Sequence, residues 1–136
     1  MYITTKPTIY LIDGLNLVRS FLYEFARPEE DVLADFLDFL AEMSVDPRYE
    51  MHTYEVILDG TFRPVGPLQR GGVHISFSES LSADEMIYER AGYLVQTNRR
   101  VLAVTDDRAL QEDLKKLGVK TQFCRKFYTH FKPSEK

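Results

Sequence analysis

Apolar and polar positions follow two different periods along the chain. Thr8 to Asp13 carries the apolar run Ile9-Tyr10-Leu11-Ile12 and stops at a carboxylate. A run without alternation predicts a strand buried on both faces. Leu15 to Ala26 is predicted helical, with Leu15, Val18, Leu22 and Phe25 on one side, until Arg27-Pro28 breaks it. Glu29 to Met43 carries the clearest helical stripe (Val32, Leu33, Phe36, Leu37, Leu40, Met43), with its acids mostly on the other side. Thr53 to Asp59 and Val73 to Phe77 read as strands, joined by a long Gly- and Pro-rich stretch, Gly60 to Gly72. That stretch is predicted structureless, as either a mobile substrate-facing segment or a plain surface excursion. Ser82 to Thr97 is a helix opened by a Ser-x-x-Glu capping box, with Ile87, Tyr88, Ala91, Leu94 and Val95 inward. Arg100 to Thr105 is a strand, Asp107 to Leu117 a helix that Gly118 ends, and Val119 to Phe123 a short last strand. Arg125 to Lys136 is aromatic and basic with no assignable period.

Helices between most strands predict an α/β, three-layer, Rossmann-like domain with a mainly parallel central sheet of about five strands. The 136 residues suit one domain, 1–136, with its core at about residues 8–123. Cys124 is the single cysteine, which excludes an internal disulfide and fits a reducing compartment. It reads as a small buried hydrophobe rather than a nucleophile. No leader pattern or apolar run of membrane length is visible, so the expected location is cytoplasmic, with no membrane partner.

The formal net charge of −4 conceals a polarity. Between Glu24 and Asp59 the acids are opposed only by Arg27 and Arg48, whereas from Arg108 onward bases predominate. An acidic half and a basic half create a directional field, and the basic half suits either a polyanion or plain solvent.

Carboxylates recur where predicted strands end or helices begin: Asp13, Asp59, Asp84, and the pair Asp106-Asp107. In doubly wound sheets ligands bind beyond the carboxyl ends of the strands. Each acid alone has a structural explanation. Asp59-Gly60 is a common turn pair, Asp106 or Thr105 can cap the next helix, Asp84 can serve the helix dipole, and Asn16 can be an ordinary first-turn residue. Their coincidence on one predicted rim favours a functional reading. Two carboxylates about 5 Å apart repel by roughly 3 kcal/mol at an effective dielectric near 20, so several together need shifted pKa values, cationic partners or a bound cation. His52, His74 and His130 are not paired at ligand spacing. An all-oxygen donor set points to Mg²⁺ or Mn²⁺ rather than zinc.

Four segments, Leu-Ile-Asp-Gly-Leu-Asn-Leu, Val-Ile-Leu-Asp-Gly, Ser-Ala-Asp-Glu-Met-Ile and Ala-Val-Thr-Asp-Asp-Arg-Ala-Leu, occur in an order and spacing that resemble the NYN (YacP-like) ribonucleases of the PIN-domain superfamily, from about Thr8 to about Phe123. The resemblance implies a PIN-like fold with the first strand central, and Mg²⁺- or Mn²⁺-dependent, endonucleolytic cleavage of RNA. It implies Asp13 as the first-strand metal ligand, Asn16 as its accompanying amide, and Asp84 as the helix-start acid. Where the family has Thr-Ser-Asp or Thr-Asn-Asp this chain has Thr105-Asp106-Asp107. Asp107 is thus the implied acid ligand, Asp106 an additional carboxylate at the metal, and Thr105 the residue that orients the loop. Asp59 and Glu85 are supporting positions, Glu85 standing where the family often has a second Asp.

RNA needs cations as well as a metal. Arg63, Arg70, Arg99, Arg100 and Arg108 are expected to flank the rim, with Phe62 available to stack on a base. The expected partner is RNA, in a ribosome or translation context; oligomeric state is left open. The competing reading is a non-catalytic RNA-binding or adaptor module on the same fold. A phospho-receiver-like switch fits less well, because the first strand ends in one acid rather than an adjacent pair, and a haloacid-dehalogenase-type phosphatase less still, because Leu15 stands where its second Asp would be.

Overall fold

A computed structural model describes residues 6–23 and 26–131. The central strand is β1 (Ile9–Asp13), buried along its whole length. Its alternate residues feed two separate cores. Tyr10 and Ile12 join the core on one face of the sheet, and Ile9 and Leu11 the core on the other. This is why the segment shows no polar alternation. β2 (Thr53–Leu58) pairs parallel to one side of β1 and β5 (Val101–Val104) to the other. β4 (Val73–Phe77) and β6 (Lys120–Gln122) extend the sheet outward, also in parallel. With β3 (Gln69–Arg70) at one edge, the strand order is β3-β4-β2-β1-β5-β6. The chain thus builds outward from β1 through β2 and β4, then crosses to the other side for β5 and β6. That reversal beside β1 makes a topological switch point.

One face is covered by α2 (Glu29–Ser44) and α5 (Cys124–Phe131), the other by α3 (Ala83–Gln96) and α4 (Arg108–Lys116). The predicted α2 stripe is buried at all six positions. The bidentate pair Arg90–Glu55 (2.9 and 2.8 Å) fastens α3 to β2. Among the described residues no helix is long and apolar enough to cross a membrane.

Four expectations are corrected. The sheet has six strands rather than about five, because Gln69–Arg70 forms β3 inside the stretch predicted to lack structure. Gly71, at φ +57°, turns β3 back antiparallel onto β4, and a Cβ there would stand 2.7 Å from Ser44 Oγ. The first predicted helix is only α1 (Gly14–Leu17), continued by one π-helical turn, Val18–Leu22, after which Tyr23 turns extended at ψ 134°. Its expected stripe residue Phe25 lies outside the described residues. In α3, Tyr88 is exposed rather than inward; the buried line is Ala83, Ile87, Ala91 and Leu94. Finally, the core does not end near Phe123. Phe127 and Phe131 of α5 are almost wholly buried and pack around Tyr10 at 5.5 and 5.6 Å between ring centroids.

Candidate active site

Asp13 is the last residue of β1 and the N-cap of α1, accepting from the backbone N–H of Asn16 at 3.2 Å. Gly14 makes this abrupt strand-to-helix turn possible. A Cβ there would stand 2.7 Å from Leu58 and 2.8 Å from Val56, so the backbone presses directly on β2. Asp13 is consequently only 7% exposed. Burial pushes its carboxyl up to about 6; the Asn16 N–H opposes this, and the charges of Asp84, Asp59 and Asp107 add to it.

Asp84 is the second residue of α3 and is also pushed up to about 6, by burial first, then by the charge of Asp107 and a hydrogen bond shared with it, then by Asp59. The start of α3 is held by the expected reciprocal box between Ser82 and Glu85 (3.0 and 2.9 Å). Asp59 adds to it by accepting from Ala83 N–H at 2.9 Å. Asp107 is the N-cap of α4 and accepts from Leu110 N–H at 2.9 Å. Thr105, fully buried, orients this loop: its hydroxyl accepts from Asp107 N–H at 3.1 Å and its carbonyl from Gln111 Nε2 at 2.7 Å. Four separate segments therefore bring Asp13, Asp59, Asp84 and Asp107 into mutual electrostatic range at the switch point.

Asn16 and Asp106 have a different role. The Asn16 side-chain oxygen accepts from Asp106 N–H at 2.8 Å. The Asp106 carboxylate accepts from Ser20 Oγ and from Cys124 N–H, both at 2.9 Å. This tie joins the ends of β1 and β5 to the π turn and to the start of α5. Cys124 is buried, and desolvation pushes its thiol up, as expected of a packing residue.

The cleft over these residues has a volume of about 390 Å³ and is lined by Asp13, Asn16, Asp59 and Asp84 together with Arg19 and Ser20. The last two did not emerge from the sequence, although a signal exists: they stand three and four residues after Asn16, on the same helical face. Arg19 is fixed by a bidentate pair with Glu29 (2.7 and 3.0 Å), and its guanidinium also feels Asp59 and Asp13.

The expected arginines scatter. Arg63 donates to the Asp59 carbonyl at 2.7 Å, beside the cleft. Arg70 clasps its own loop through the Pro67 and Val65 carbonyls and pairs with Asp38 at 2.9 Å. Arg99 and Arg100 do not flank the rim. They precede β5, and in a parallel sheet that places them at the opposite end from Asp107. Arg108 opens α4 and lies over the ring of Phe123.

The fold is that of known structures. Rae1 (YacP) from Bacillus subtilis, as a tryptophan-to-leucine variant, aligns with a TM-score of 0.70 and 20% identity over 91% of this chain and 74% of that one. A second structure of Rae1 (YacP) aligns at 0.63 and 20% over 90% and 72%. This chain has the Rae1 fold. No family model matches the sequence, and no curated relative does.

The donor set of the cleft suits a hard cation, being all oxygen and mutually repelling. Among the described residues, no three His, Cys, Asp or Glu side chains approach closely enough to form a closed metal cage. An ion held by one or two carboxylates, completed by water and substrate phosphate, is the mode that this rim fits.

Proposed function

We propose that this chain is an NYN (YacP-like) ribonuclease of the PIN-domain superfamily, hydrolysing RNA phosphodiester bonds endonucleolytically with Mg²⁺ or Mn²⁺, in the cytoplasm. The observation that carries the reading is the convergence of Asp13, Asp84 and Asp107 from three separate segments, where burial first and the neighbouring acids second push Asp13 and Asp84 up to about 6. The four motifs and the Rae1-like fold support it. Helix capping accounts for Asp13, Asp59 and Asp107 but not for Asp84, which among the described residues accepts no helix-start N–H and is nevertheless placed against the other acids.

One or two of Asp13, Asp84 and Asp107 would hold the ion directly and the remaining acid through water. A divalent cation there supplies charge stabilisation for the transferring phosphate and lowers the pKa of a water so that it can attack at neutral pH. Asn16 holds the β1 and β5 ends in register through Asp106. Asp59 and the Ser82–Glu85 box fix the first turn of α3, and so the direction of Asp84. Arg19, anchored by Glu29 on the cleft wall, is placed to meet a non-bridging phosphate oxygen.

The test is cleavage of a mixed pool of structured and single-stranded RNA with Mn²⁺, Mg²⁺ or chelator, using wild type and Asp84→Asn. The expected result is metal-dependent cleavage that falls at least about 100-fold in the variant, the scale of losing one group that stabilises transition-state charge. Full activity in a folded Asp84→Asn protein overturns the assignment. The adaptor reading draws on one observation, that Asp13, Asp59 and Asp107 already accept helix-start N–H groups. RNA binding that persists in excess chelator, with no cleavage under any condition, would favour it.

A further inference from the structure

Among the described residues, five arginines are paired to carboxylates and two have an aromatic ring as their only close partner. Arg19, Arg27, Arg48, Arg70 and Arg90 are ion-paired to carboxylates within the fold. Arg108 and Arg125 instead lie against aromatic rings, Arg108 at 5.8 Å from the Phe123 centroid and Arg125 at 5.6 Å from that of Phe21. A guanidinium supported on a ring face keeps its donor fork available for phosphate. Together with Lys126 and Thr129 these residues line an open groove of about 630 Å³ whose inner wall is Asp106. Phe123 stands 45% exposed in this groove, between β6 and α5. It is a large ring in a basic setting with no core to fill. Phe62, also expected to be available to a base, is 62% exposed and meets Phe77 edge-on at 5.3 Å between centroids, outside this basic groove.

The groove adjoins the acidic cleft. Ser20 lines the cleft, Asp106 lines the groove, and the two are hydrogen-bonded at 2.9 Å. A strand lying across that bond has carboxylates on one side and unpaired cations with an aromatic platform on the other. We propose that this groove is the substrate track. It takes an unpaired stretch of RNA, with one base on the Phe123 face opposite Arg108 and flanking phosphates on Arg108, Arg125 and Lys126, and delivers the next phosphodiester over the Ser20–Asp106 saddle to the cleft. Phe123 is then a specificity residue, selecting unpaired over duplex RNA, because a base inside a helix has no free face to offer. The ribonuclease reading enters this argument only in choosing RNA as the polyanion.

The test is fluorescence anisotropy in chelator, where nothing is cut, with the full chain and a labelled 12-nucleotide unpaired RNA or a 12-base-pair RNA duplex. The unpaired RNA is expected to bind more tightly. Phe123→Ala is expected to weaken it about 10-fold, Phe123→Trp to restore it, and neither to change duplex binding, given the usual contribution of one base–aromatic stack. Arg125→Ala with Lys126→Ala is expected to lower the slope of log K against log salt by about 1.4, from about 0.7 per single-strand phosphate contact. Equal binding of the two RNAs, or Phe123→Ala binding like wild type while folded, overturns the track. Cleavage by wild type with Phe123→Ala unaffected removes the track and leaves the ribonuclease reading. Binding that depends on Phe123 with no cleavage in any metal leaves the track and removes the ribonuclease reading.

Discussion

At the scale of single residues, the site depends on one missing side chain and one added charge. Gly14 is required by contact rather than by backbone angle, because a methyl group there would collide with Leu58 and Val56. Gly14→Ala is expected to lose about 1–3 kcal/mol to overpacking, read as a lower midpoint in urea unfolding. Arg19 shows the opposite balance. Its pair with Glu29 is exposed, so Arg19→Ala is expected to change stability by less than about 1 kcal/mol. If its guanidinium meets the phosphate, RNA cleavage falls about 10-fold or more in the same variant, about 1.4 kcal/mol of transition-state binding. Wild-type cleavage kinetics in that protein would remove Arg19 from the site. Asp13, Asp84 and Asp107 were legible because acids at strand ends and helix starts are rare in such concentration. Arg19 and Ser20 were not, because three-residue spacing after Asn16 marks a face without saying what that face looks onto.

Among the elements, α5 is the one whose meaning changed most. Its two phenylalanines complete the aromatic core around Tyr10, Tyr54 and Tyr49. Its first turn is held by Asp106, which accepts the Cys124 N–H. Phe131→Ala is expected to cost about 3–5 kcal/mol, as for other large buried aromatics, and thermal unfolding would show it directly. The helix escaped the sequence reading because only Cys124, Phe127 and Phe131 are buried in it. Three inward positions in eight residues are too few to establish a period against the basic and aromatic residues around them. The π turn, Val18–Leu22, was read as ordinary helix for a related reason. Its side-chain pattern is helical, and its contacts with the Asp106 carboxylate and with α5 are made only in the folded chain.

Over the whole molecule, Asp13 and Asp84 make folding depend on pH. Asp13 has a folded pKa of about 6 against an ordinary value of 3.8, so between those values the folded state binds more protons than the unfolded one. In chelator, stability is therefore expected to fall as pH rises from about 4 to about 6 and then level off. The largest share, up to about 3 kcal/mol, comes from Asp13, with Asp84 adding less because it is more open to solvent. Glu29 is lowered by Arg19 and works in the opposite direction, weakly, from an exposed position. Melting temperatures in chelator at pH 5 and pH 7.5, for wild type and Asp13→Asn, check this. Wild type should melt higher at pH 5 relative to the variant, and adding Mn²⁺ at pH 7.5 should recover the difference. Parallel pH profiles for the two proteins would show that Asp13 is not held near neutrality.

The sequence by itself determined the layers, the parallel sheet and the carboxylates that face its mouth. Those follow from local facts: apolar runs too short and unbroken to be surface strands, helices between them, and acids at the boundaries. Tertiary structure alone decided which of those acids meet. Asp106 and Asp107 are neighbours in the chain, yet Asp106 is tied to Ser20 and Cys124 while Asp107 turns to cap α4 and joins Asp84. It also decided which arginines are left unpaired. Arg70 is drawn into its own loop and to Asp38, Arg99 and Arg100 are carried to the far end of β5, and Arg108 and Arg125 remain open beside Phe123. Such choices depend on what each side chain finds across the fold, at separations in the chain that no local pattern records.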